Sequence, residues 1–158
     1  MDISGASRFC FHGDIQHSMH MGVDSYLAAG VLGDFGIEFF VGGTQDQRCA
    51  RIWSMLQVQL DTMEKPAKLA VLRVSQFLRR GLFASLRGNA METHYLLLAL
   101  PGVLAELHDG SRYHDIRLQA CQTLIQLHNT FETSGLLLEV AVAEEALRLA
   151  DRFLLLND

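Results

Sequence analysis

Proline and cysteine are scarce in this chain, with two and three copies among 158 residues. With only Pro66 and Pro101, no stretch reads as a stiff Pro-rich linker. Cys10, Cys49 and Cys121 are odd in number and widely spaced, and none belongs to a CxxC, so no disulfide framework is expected. They read as reduced thiols of a cytoplasmic protein. Long apolar runs are missing too. The longest uncharged one, Tyr95 to Ala105, falls far short of the roughly 20 residues that span a membrane, and it contains Pro101 and Gly102. Basic charge is not in excess: 13 Lys+Arg stand against 18 Asp+Glu, a formal net charge of −5. The opening Met1-Asp2-Ile3-Ser4-Gly5 lacks the basic and apolar regions of a secretory signal. No phosphate loop, GxSxG elbow or HExxH motif occurs.

What remains is a chain that is 49% hydrophobic and 20% charged, able to bury a sizeable core as a single domain over 1–158. Its composition shifts at Thr44. Residues 1–43 hold most of the glycines and show period-2 stretches: Arg8 to His12 and Ile15 to Met19 flank Gly13-Asp14 as a short hairpin, and Gly36 to Val41 reads as a further strand. Ser25 to Leu32 fits a short helix as well as a strand. The expected fold is α+β and predominantly α-helical, with short N-terminal β-strands followed by a helical body over 44–158 of about five helices.

In that body the period becomes 3.6. Thr44 with Gln47, and Asn89 with Glu92, have capping-box spacing, and each opens a helix. Cys49, Ile52, Trp53, Leu56, Leu60 and Met63 form the apolar stripe of the first helix. Pro66 suits the first turn of a second, carrying Leu69, Leu72, Phe77, Leu82 and Leu86. The third runs through Leu100 to a kink or break at Pro101. The fourth starts at Ser111 and aligns Ile116, Ala120, Leu124, Leu127 and Phe131. In the last, Leu136, Val140, Ala143, Leu147, Ala150 and Leu154 follow heptad-like steps that predict the packing seam. Trp53, Phe77, Leu124 and Leu147 are the expected core anchors.

Few groups suggest chemistry. Cys10, His12, Asp14, His17 and His20 crowd eleven residues, and a Gly13-Asp14 turn sets Cys10, His12 and His17 on one hairpin face. The set lacks a fourth ligand and zinc-motif spacing, so a solvated hairpin face is the plainer reading. Cys49 and Cys121 sit on apolar stripes, where cysteine packs as a small hydrophobe. No catalytic residue, cofactor or metal site is expected. Charge is more telling: Lys65, Lys68, Arg73, Arg79, Arg80 and Arg87 lie in a stretch with no acidic residue, and on a helix Arg73, Gln76, Arg80 and Arg87 fall on one line. These four are the candidate partner-binding residues.

The expected function is a non-enzymatic protein–protein interaction module, an adaptor, chaperone-like or regulatory protein working through helix surfaces, with homodimer formation as one mode. The first alternative is a nucleic-acid-binding regulator using the basic helix 65–87. The second is a small metal-dependent enzyme or metal sensor using the N-terminal Cys/His group. Leucine triplets at Leu136 to Leu138 and Leu154 to Leu156 put apolar surface on more than one side of the last helix, which is central or binds another chain.

Overall fold

Reciprocal caps start two of the helices, as the spacing predicts. The Thr44 backbone N–H donates to Gln47 Oε1 at 2.8 Å and the Gln47 N–H returns to Thr44 Oγ1 at 3.3 Å. Asn89 and Glu92 make the same exchange at 3.0 and 2.9 Å. Each pair satisfies two of the N–H groups that a helix start leaves open. The computed structural model describes residues 19, 22–34, 40, 42–63, 71–77, 85–134 and 139–157. These form α1 (Asp24–Gly33), α2 (Gln45–Asp61), a single 3₁₀ turn (Val74–Gln76), α3 (Ala90–Glu106), α4 (Arg112–Thr133) and α5 (Val140–Asn157).

The described residues are predominantly helical, with five α-helices, but they are not the five that periodicity selects. Asp24–Gly33 is helical, and it buries Leu27, Ala28, Ala29, Val31 and Leu32. Burial on several sides makes it an internal helix rather than an amphipathic one. No strand occurs among the described residues. The expected hairpin from Arg8 to Met19 lies almost wholly outside them, as does most of Gly36 to Val41. In place of a helix over 66–88, residues 71–73 are irregular, Val74–Gln76 make their one 3₁₀ turn, and 85–87 are irregular again. The sequence explains this correction: Leu72, Phe77 and Leu82 are five apart, and a five-residue step leaves the helical face that steps of three and four preserve. Leu72, Phe77 and Leu86 are nevertheless all buried.

Helix α3 touches α1, α2 and α4. It buries Leu96, Leu97, Ala99, Leu100, Val103 and Leu104, and it continues through Pro101 to Glu106 instead of breaking there. The turn to α4 uses Gly110 at φ +81°, a left-handed conformation that favours glycine. Ser111 then caps α4, its Oγ accepting from His114 N at 3.3 Å. Helix α4 buries Ala120, Leu124 and Leu127 on the expected face, with Cys121 and His128 beside them.

Helix α5 packs chiefly on α4, and of the predicted seam only Ala150 takes part among the described residues. Ala146 and Leu149 are buried, and Ala150, Phe153 and Leu156 pack against the core from its edge. Leu147, expected as an anchor, is 63% exposed. Trp53, Phe77 and Leu124 take the core places assigned to them.

Candidate functional site

The four basic-ridge candidates are not aligned by a helix among the described residues. Arg73 and Arg87 are exposed and Gln76 is half-buried, while Arg80 lies outside the described residues. A different device brings Gln76 to Arg87: the Arg87 N–H donates to the Gln76 carbonyl at 2.7 Å. The Gln76 side chain is also engaged, its Oε1 accepting from Arg73 N at 2.6 Å. One residue earlier the chain is tied to α1, with Leu86 N donating to Ser25 O at 3.1 Å and Ser25 Oγ donating to Leu86 O at 3.0 Å. The segment therefore straps across the start of α1, and Arg73 and Arg87 project from it.

Both described cysteines are buried and unbridged. Burial, with a smaller contribution from nearby Asp46, pushes the Cys49 thiol from its ordinary value near 9 up to about 11. Burial pushes Cys121 up to about 12. A thiol must ionise to attack, so neither is set up as a nucleophile at neutral pH. In a Cys10→Ser variant, a thiol reagent at pH 8 should label the native chain about 100-fold more slowly than the urea-unfolded chain. Comparable rates would show that these helices open readily. The same shifts fix a pH dependence. Unfolded thiols lose protons first, so the buried thiols' contribution to stability is whole below pH 9 and is lost as pH rises toward 11 and 12.

Helix α5 carries more exposed large apolar residues than any other described helix. Val140, Leu147, Leu154 and Leu155 are 62–76% exposed, and the first three recur every seven residues. Glu144 and Asp151 flank that line, with Arg148 farther round the helix, held by Glu145 through contacts of 2.7 and 2.6 Å.

A second constellation has no counterpart in the sequence reading. Asp24 at the start of α1, His94 on α3 and His128 on α4 converge, each offering one metal-capable atom, all within 4.8 Å of one another. Asp24 is 0% and His128 3% exposed, and His128 Nε2 meets Asp24 Oδ1 at 2.8 Å. The His94 and His128 rings stand edge to face at 5.2 Å. His94 Nε2 points toward the more exposed Glu132, with its Oε1 at 3.9 Å. Sequence reasoning misses this group because 70 and 34 residues separate its members and no short motif holds them. Its one local signal is a histidine beside the apolar row of α4, with Glu132 a turn later. The Cys10, His12 and His17 candidates lie outside the described residues.

No family model, curated protein or solved structure matches this chain. Among the described residues no helix is long and apolar enough to cross a membrane.

Proposed function

We propose that the protein is a non-enzymatic interaction module, of the adaptor, chaperone-like or regulatory kind, that presents the outer face of α5 to a helix of another protein. The carrying observation is the exposure of Val140, Leu147 and Leu154 at heptad spacing on a helix whose opposite face already packs. Such a row forms the seam into which a partner helix sets its apolar side chains. Glu144 and Asp151 flank the row, so the fitting partner is an amphipathic helix with basic flanks. An antiparallel second copy would set Glu144 near Asp151 of its mate, which favours a different chain over a homodimer. Arg73 and Arg87 offer a separate contact for acidic groups, together with Gln76 and Arg80. The proposed setting is cytoplasmic, in keeping with the unbridged thiols of Cys49 and Cys121.

A synthetic helix with leucine at its heptad core positions and lysine at its flanks is the direct probe. Fluorescence anisotropy should show saturable binding that weakens with salt, and Leu147→Glu with Leu154→Glu should weaken it at least about tenfold while circular dichroism is unchanged. Equal binding by the double variant would overturn the assignment of this face. A concentration-dependent dimer that the same variant abolishes would replace the foreign partner with a second copy.

A further inference from the structure

We propose that Asp24, His94 and His128 form a binding site for one divalent transition-metal ion, of the zinc or iron(II) class, inside the helical bundle. Three helices each contribute one ligand to a common point, as bundle-core metal sites are built. The burial of Asp24 and His128 makes the polar cluster costly unless its members interact closely, and the 2.8 Å Asp24–His128 contact supplies one such interaction. A purely structural pair needs only those two groups. His94 adds a third donor, and its atom lies within 4.8 Å of both others.

The dimensions fit an ion. Bonds of about 2.0–2.2 Å place adjacent ligand atoms roughly 2.9–3.6 Å apart, so the Asp24–His128 pair opens by only a few tenths of an ångström, while His94 closes inward. The ion takes the place of the hydrogen held between Asp24 and His128, which leaves to the buffer. Two imidazoles and one carboxylate suit zinc or iron(II), whereas magnesium and calcium select oxygen ligands. Three protein ligands leave at least one position open. Glu132, a turn beyond His128 and near His94 Nε2, stands on the solvent side, where it can orient a water or complete the set. The His94 side, 19% exposed at its side chain against 0% for Asp24, is the side from which an ion enters.

The test uses the full chain without a histidine tag, stripped with chelator and titrated with cobalt(II), then with zinc in competition. One equivalent of cobalt should bind with visible d–d absorption, and zinc should displace it. His94→Gln and Asp24→Asn should each weaken binding at least about tenfold, while His12→Ala with His17→Ala should leave it unchanged. Circular dichroism checks the fold of each variant. His94 is only half-buried, so His94→Gln carries the test should Asp24→Asn unfold. Failure of the wild type to bind one equivalent, undiminished binding in folded His94→Gln, or loss of binding in the N-terminal double variant would overturn the site.

Discussion

Leu149→Ala is expected to remove about 2–5 kcal/mol of folding stability, and Leu147→Ala, two residues away on the same helix, is expected to change it by less than about 0.5 kcal/mol. At roughly 2–4 °C per kcal/mol for a domain of this size, the first should lower the melting temperature by at least about 4 °C. The contrast follows from which row of α5 meets α4. Leu149 is 1% exposed, so truncation loses the transfer energy of its side chain and leaves a cavity that the surrounding helices fill only in part. Leu147 projects into solvent, where alanine substitution opens no cavity. Thermal unfolding of the two variants side by side, with helix content checked by circular dichroism, measures the orientation of α5. Equal effects, or a larger loss at Leu147, would rotate the helix by half a turn and remove the basis for the proposed outer binding face.

The α5 reversal shows where the sequence was readable and where it was misread. Two rows on this helix step by three and four: Val140, Ala143, Leu147, Ala150 and Leu154, and Val142, Ala146, Leu149, Phe153 and Leu156. Hydrophobic spacing alone does not separate them. Charge does not separate them either, because at 3.6 residues per turn Glu144 and Asp151 lie about 40° from members of the first row and Glu145 and Arg152 lie about 40° from members of the second. The choice is made by how α5 meets α4, which no spacing within α5 encodes. The N-terminal ends of α2, α3 and α4 were legible because caps are local chemistry, set by residues three apart. The strap around Phe77 was not, since its conformation is fixed by distant anchors such as the Ser25–Leu86 bonds. For the same reason the Asp24–His94–His128 cluster is invisible in one dimension: it is a product of how α1, α3 and α4 pack.

That packing sets the second large effect. In chelator-treated protein, Asp24→Ala and His128→Ala are each expected to cost about 3–5 kcal/mol, because either change strips the 2.8 Å partner from a polar group sealed inside the bundle. The double variant Asp24→Ala with His128→Ala should lose much less than the two single losses combined, since it removes both polar groups together and leaves neither one buried beside a missing partner. Denaturant unfolding of the four proteins gives the comparison. A coupling on the order of 1–3 kcal/mol would identify the pair as one energetic unit. Strict additivity would mean that each group is held by other neighbours, and the convergence of α1 on α4 would then rest on Leu27, Val31 and Leu124 rather than on the buried contact. His94→Ala in the same metal-free background should cost less than either single change, because its ring sits at the edge of the cluster with part of its surface in water.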